Sequence, residues 1–119
     1  MKRGEIWLIN LDPTIGAEIR KTRPAVIVSS DAIGVLPLKV VVPITDWKEH
    51  YEVAPWMIKI EPEPQNGLDK PSSADTFQVR SLAEERFVRK LGRLKPSRMA
   101  EVTGGLALVL EIEGVEHEQ

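Results

Sequence analysis

Hydrophobic and polar positions alternate along the first part of the chain and recur at a longer spacing near its end. GEIWLINL (4–11) puts Ile6, Leu8 and Asn10 on one side and Trp7, Ile9 and Leu11 on the other, which predicts a strand apolar on both faces. DPTIGAEIRKT (12–22) carries Asp-Pro, Gly and charge, and predicts a loop. RPAVIVSS (23–30) predicts a second strand, with Pro24 at its first position, where a missing N–H does least harm. LKVVVPITD (38–46) predicts a third, interrupted by Pro43. A proline inside a strand implies an edge or a bulge, and a bulge would re-aim the residues after it, Thr45 included. WMIKIEP (56–62), SADTFQVRS (73–81) and FVRKLGRL (87–94) predict three more strands, with a long turn over PEPQNGLDKPSS and a bend at Gly92.

Only the end reads as a substantial helix. Pro96 suits a first helical position, and Met99, Val102, Leu106, Val109 and Leu110 recur at helical spacing. Gly104 and Gly105 each cost such a helix roughly 1 kcal/mol against Ala, and would permit close backbone packing. No repeat, low-complexity tract or linker interrupts the pattern. Short strands followed by one helix predict an α+β domain over 1–119, a small, partly open β-barrel with a helix packed on it.

Composition narrows the chemistry. The chain is 42% hydrophobic and 29% charged, ordinary for a globular protein. Its longest apolar runs, VVVPI and LALVL, are too short to span a bilayer. MKRGEIW breaks into charge and glycine at once, unlike a signal peptide. Cysteine is absent, which fits the cytoplasm and removes disulfides, thiol nucleophiles and Cys-based metal sites. The net charge of −2 hides a segregation. Without residues 111–119, 16 bases stand against 14 acids. Residues 80–98 hold seven bases against Glu84 and Glu85. That block either attracts phosphate or is a solvated face.

The only histidines are His50 and His117, and no carboxylate cluster has a metal-ligand spacing. Phosphate-cradling glycine loops and Ser-His-Asp patterns are also absent. The reactive groups reduce to Arg, Thr, Ser, Glu, Asp and Gln, working without a metal or cofactor. Arginine, always charged and forked, matches the negative charge that builds at phosphorus. Arg23 leaves a loop and enters a strand, which combines reach with a fixed anchor. Thr45 reads equally as a strand-end hydroxyl capping its own turn. Trp56, flanked by Met57 and Ile58, reads as core or as a base-stacking ring, with burial tendencies favouring core for it and for Trp7.

Taken together, KRGEIWLINLDPTIGAE, RPAVIVSSD, VVVPIT, NGLDKPSSADTFQVRSL and FVRKLGRLKPSRMAEV resemble the MazF/PemK-like toxin family in order and spacing. The resemblance covers most of the chain. It implies an SH3-like small β-barrel of the CcdB/PemK type and a homodimer. It implies a sequence-selective, metal-independent endoribonuclease that cuts single-stranded RNA, mRNA in particular. It implies as partner a labile acidic antitoxin whose C-terminal segment covers the RNA groove. Arg23 of the Arg-Pro motif and Thr45 of Val-x-Pro-x-Thr carry over as the catalytic pair. Glu18 of Gly-x-Glu and Gln78 of Gln-Val-Arg match positions that contact RNA in relatives, and Glu18 is also the better candidate base, since a guanidinium is a poor one at neutral pH. Arg20 and Lys21 of the first loop, with Arg80 and Arg86 of the basic block, are further RNA-binding candidates.

The sequence departs from relatives that place an acid beside Gln78, because Phe77 precedes it here, and it lacks a histidine in the first loop. Two rivals share the barrel: a gyrase-poisoning toxin, and a non-catalytic binding module. The first uses a C-terminal Trp-Gly-Ile, whereas this sequence ends GVEHEQ.

Overall fold

The computed structural model describes residues 1–13, 15–19 and 21–113. Seven strands run as β1 (Glu5–Asn10), β2 (Thr22–Ile27), β3 (Leu38–Asp46), β4 (Met57–Ile60), β5 (Ser72–Asp75), β6 (Arg80–Ala83) and β7 (Phe87–Arg93), followed by α1 (Pro96–Leu110). All pairings are antiparallel. The sheet order is β4-β5-β3-β2-β1-β7, with β6 also on β3. The two outer strands approach through the turn after β4: Arg93 N–H donates to Gln65 O at 2.8 Å. A Cβ on Gly92 would lie 2.4 Å from that same oxygen, so the glycine marks a close approach of backbones, and the β1–β7 register shifts beside it, between Gly92 and Lys90. The α+β class and the terminal helix are as the pattern predicts. Among the described residues no helix is long and apolar enough to cross a membrane.

The first three strands are apolar on both faces because each face has its own core. Ile6, Val26, Val42 and Ile44 pack with Met99 and Val102 beneath α1. Ile9, Leu11, Ala25, Ile27, Val41 and Leu82 form a second core on the opposite face. The period-2 alternation of side chains sends neighbours along each strand to different cores.

Pro43 differs from expectation. It lies buried within β3, which is neither an edge nor bulged. It sits where β3 changes partners: Leu38–Val41 pair with β6, and Ile44–Asp46 with β5. From Val41 to Ile44 is three steps along β3, but from Arg80 to Ala74 is six along its partner. The surplus is the 3-10 turn Thr76–Gln78. A proline offers no N–H to continue the ladder, so the partner leaves it there. The Asp75 carboxylate caps the turn by accepting from Phe77 N–H at 3.1 Å. The single strand expected over 73–81 is therefore two strands and a turn. Pro24 likewise stands third in β2, not first; β2 pairs with β1 there, while its pairing with β3 begins only at Ala25.

Gly105 and Gly104 serve different ends. A Cβ on Gly105 would press to 3.0 Å on Thr76, whose hydroxyl is fixed to Trp56 O at 2.7 Å; one on Gly104 would meet nothing within 4 Å. Gly104→Ala should therefore stabilise the fold by up to about 1 kcal/mol, and Gly105→Ala should destabilise it. Urea unfolding of the two variants checks the opposite signs.

Glu5 is the principal buried charge of β1, 6% exposed. Its carboxylate accepts from the Trp7 indole at 2.9 Å and faces Lys90 Nζ at 3.2 Å and Arg93 Nη2 at 3.7 Å. Burial pushes this carboxyl up, but the Trp7 and Lys2 hydrogen bonds and the Lys90 ammonium outweigh it and bring it down to about 2. The folded chain thus holds this proton more weakly than the unfolded one, whose carboxyl keeps the ordinary value of 4.5. The stabilisation is complete above that value and is lost as pH falls towards 2. Wild type and Glu5→Gln should differ by no more than about 3 kcal/mol at neutral pH, and the gap should close in acid. Urea melts across the acid range test this; a gap independent of pH excludes the carboxylate's charge as its source.

Candidate functional site

Strand register assembles the site. Ile9 stands opposite Arg23, Ala25 opposite Pro43, and Val41 opposite Arg80. Residues directly opposite share a face, as do residues two apart. The rows Ile27–Ala25–Arg23, Val41–Pro43–Thr45 and Leu82–Arg80 therefore lie side by side on the face of the second core. Each begins with a buried apolar residue, and Arg23, Thr45 and Arg80 at the outer ends are half-buried. Two steps beyond the last β2–β3 pair, the register sets Arg23 across from Thr45. The β2–β3 pairing itself ends at Ala25 and Pro43, while on its other edge β3 continues to pair, Thr45 with Ser73 of β5. Long, charged Arg23 and short Thr45 thus face one opening from adjacent strands.

A cleft of about 440 Å³ adjoins this opening. Glu18 and Ile19 of the first loop form one wall, Phe77, Gln78 and Arg80 the other, and Pro43 lies on its lining. Among the described residues, Arg23 and Thr45 stand beyond Pro43 on the same face rather than on these walls. The structure thus brings Glu18, Gln78 and Arg80 to one cleft, while Arg23 and Thr45 share the sheet face of its Pro43 lining without lining it themselves.

Side-chain clasps hold the loop. Gln78 Oε1 accepts from Ile19 N–H at 2.7 Å, and Gln78 Nε2 donates to Ala17 O at 3.4 Å. Both ends of the amide expected to read RNA are therefore engaged with the loop backbone. Asp75 lies behind it, 9% exposed. Burial pushes its carboxyl above the ordinary range, while hydrogen bonds from Phe77 N–H and from Gln78 partly draw it back. Glu18 closes the loop's own turn, its Oε1 accepting from Ile15 N–H at 2.7 Å. At the root, Lys21 takes a left-handed backbone, φ 69°, and its N–H donates to Asp12 Oδ1 at 2.9 Å. Arg86 Nη1 donates to Asp12 O at 2.6 Å and Asn10 O at 3.2 Å. Arg86 thus braces the loop root. Arg20 lies outside the described residues.

The rest of the basic block is mostly engaged as well. Lys90 and Arg93 serve Glu5, Lys95 meets Glu63 at 2.8 Å, and Arg98 meets Glu101 at 2.6 Å. Arg80 is the member that reaches the cleft. Among the described residues, no three His, Cys, Asp or Glu side chains gather as a metal site. Trp56 stands 37% exposed, against the expectation of a core ring, because it flanks the 3-10 turn and packs edge-to-face on Phe77. Trp7 is half-buried against Phe87. Sequence reasoning missed Asp75 and Phe77. An aspartate inside a predicted strand is itself a signal, since Asp is depleted in strands and caps turns two residues on.

The comparisons agree with this architecture. A family model described as a PemK-like, MazF-like toxin of a type II toxin–antitoxin system matches residues 2–110. The chain is similar to endoribonuclease MazF9 of Mycobacterium tuberculosis, 34% identical over 118 residues, covering 94% of this chain and 98% of that protein. It is 35% identical over 112 residues to endoribonuclease PemK of Escherichia coli, covering 92% and 82%. In fold it is similar to the crystal structure of MazF from Deinococcus radiodurans, with TM-score 0.77 over 94% of this chain and 97% of that one, at 24% identity. A mycobacterial endoribonuclease solved with its cognate antitoxin gives TM-score 0.74 at 18% identity, covering 94% and 96%. Since the family match runs through every strand and the whole of α1, the chain belongs to the PemK-like, MazF-like toxins of type II toxin–antitoxin systems.

Proposed function

We propose that this chain is an mRNA-interferase toxin: a sequence-selective endoribonuclease that cuts single-stranded RNA without a metal and is neutralised by an acidic antitoxin occupying its RNA groove. The relatives named as endoribonucleases support the activity. The observation that carries the chemistry is the register that turns Arg23 and Thr45 towards one opening.

In this reading a ribose 2′-OH attacks its own phosphodiester in line with the 5′-oxygen. The 2′-oxygen–phosphorus bond forms, the phosphorus–5′-oxygen bond breaks, and the ends are a 2′,3′-cyclic phosphate and a 5′-OH. Negative charge grows on the non-bridging oxygens as phosphorus becomes five-coordinate. Arg23 meets that charge with two N–H donors, and Thr45 holds one oxygen with its hydroxyl. Glu18, a carboxylate on the cleft wall, is the base for the 2′-OH proton. Rigid strands supply the alignment, which is much of the rate gain in an intramolecular displacement.

Incubating the protein with a mixed-sequence single-stranded RNA in EDTA tests this. Cutting should persist in the chelator and leave 5′-OH ends. Arg23→Ala should slow it about 100- to 1,000-fold, with Thr45→Ala less damaging. Full cleavage by Glu18→Gln removes that residue as the base, and intact RNA with wild type overturns the reading.

We also infer a homodimer. Leu108 and Leu110 at the end of α1 are about half exposed (52% and 55%), more apolar surface than one subunit covers. Sizing at micromolar concentration should give twice the chain mass of 13.3 kDa, and Leu108→Lys should shift the population towards monomer.

A further inference from the structure

Phe77 is 65% exposed, yet its backbone and one edge of its environment are fixed. Its N–H is fixed to the Asp75 carboxylate at 3.1 Å. Its ring meets Trp56 edge-to-face, with centroids 6.2 Å apart and planes at 67°. The Trp56 main chain is fixed in turn, because its carbonyl accepts from both Thr76 N–H, at 3.2 Å, and Thr76 Oγ1, at 2.7 Å. Thr76 is wholly buried and anchors the turn against the fold. The ring is packed on one aromatic neighbour and otherwise faces solvent, and it borders the cleft beside Gln78 and Arg80.

The surroundings of the ring specify what it meets. The nearby walls are polar and charged, with Glu18, Gln78 and Arg80 beside it. A greasy protein patch would strip solvent from the Glu18 carboxylate and the Arg80 guanidinium, the Gln78 amide being already engaged with the loop. A flat molecule with a π-face and a neighbouring anion fits the ring and the cation together: a nucleotide of a single strand. Stacking of an unpaired base on an aromatic side chain is the usual way such strands are gripped.

We propose that Phe77, braced by Trp56, is a stacking platform for one nucleobase of the substrate strand, next to the phosphate that Arg23 and Thr45 hold. The proposal rests on the nuclease reading above and adds to it a base subsite on the 3-10 turn. Stacking grips any base plane, so the platform sets the position of the strand, and base edges are left for other groups to read.

The test uses a mixed-sequence oligonucleotide with 2′-fluoro riboses, which lacks the attacking hydroxyl and so stays whole while its binding is followed by fluorescence anisotropy. Phe77→Ala and Phe77→Leu should each weaken binding about five- to hundredfold, while Phe77→Trp stays within about twofold of wild type. On cleavable RNA the Leu variant should raise KM and leave kcat nearly unchanged. Unchanged melting temperatures confirm that the fold is intact. Wild-type affinity in Phe77→Leu overturns stacking even if the Ala variant is weak. Wild-type RNA affinity in both variants, with altered self-association on sizing, assigns the ring to a protein interface and overturns the platform alone. Failure of the wild-type protein to bind the oligonucleotide and to cut RNA overturns the nuclease reading along with it.

Discussion

Every strand interior must place its N–H groups against acceptors, and Pro43 has none to offer. Because it is buried in the middle of β3, a strand paired on both sides, the difficulty cannot be passed to solvent. The chain resolves it on the neighbouring segment, which leaves as β5 and returns as β6 after a three-residue turn. That detour lifts Phe77 and Gln78 above the sheet and opens the cleft. On the other side of β3 the pairing with β2 lapses just past Pro43, which leaves Arg23 and Thr45 facing the gap. One missing hydrogen-bond donor thus shapes the wall of the candidate site that carries Phe77 and Gln78.

Much of the frame is legible in the sequence because its signals are strong and local. β3 and α1 occupy 38–46 and 96–110, where an unbroken apolar run and a helical spacing opened by Pro96 put them. Arg23 and Thr45 were paired by resemblance, and antiparallel register accounts for their shared face. The split at Thr76–Gln78 was not readable, since SADTFQVRS keeps an acceptable strand pattern through the turn. Its cause lies in Pro43, more than thirty residues away. The engagement of Gln78 depends on contacts with Ile19, 59 residues back, which no window of neighbours reveals. Trp56 misled for a related reason. Its apolar neighbours Met57 and Ile58 are themselves only half-buried, beside a turn the pattern concealed.

The basic stretch 80–98 shows how charge counting and charge placement differ. Its excess of cations suggested a footprint for phosphate. In the fold, Lys90 and Arg93 neutralise a buried carboxylate, Arg86 ties down backbone carbonyls, and Lys95 and Arg98 meet glutamates on nearby segments. A cation already engaged with a partner attracts polyanions less than its formal charge implies. What remains for a ligand is Arg80 at the cleft and the exposed Arg89 on β7, and the electrostatic pull at the cleft owes more to geometry than to the net balance of the chain.

The first loop is fastened twice: at its base through Asp12, Lys21 and Arg86, and near its middle through the Gln78 carboxamide. Gln78 grips only the main-chain atoms of Ala17 and Ile19, but the Ile19 side chain also packs against the second core, whereas Ala17 is exposed. Substitutions at Ala17 can accumulate without loosening the attachment and without disturbing the strand rows that carry Arg23 and Thr45. The exposed surface of the loop is therefore free to diverge at a different rate from the strands beneath it during descent.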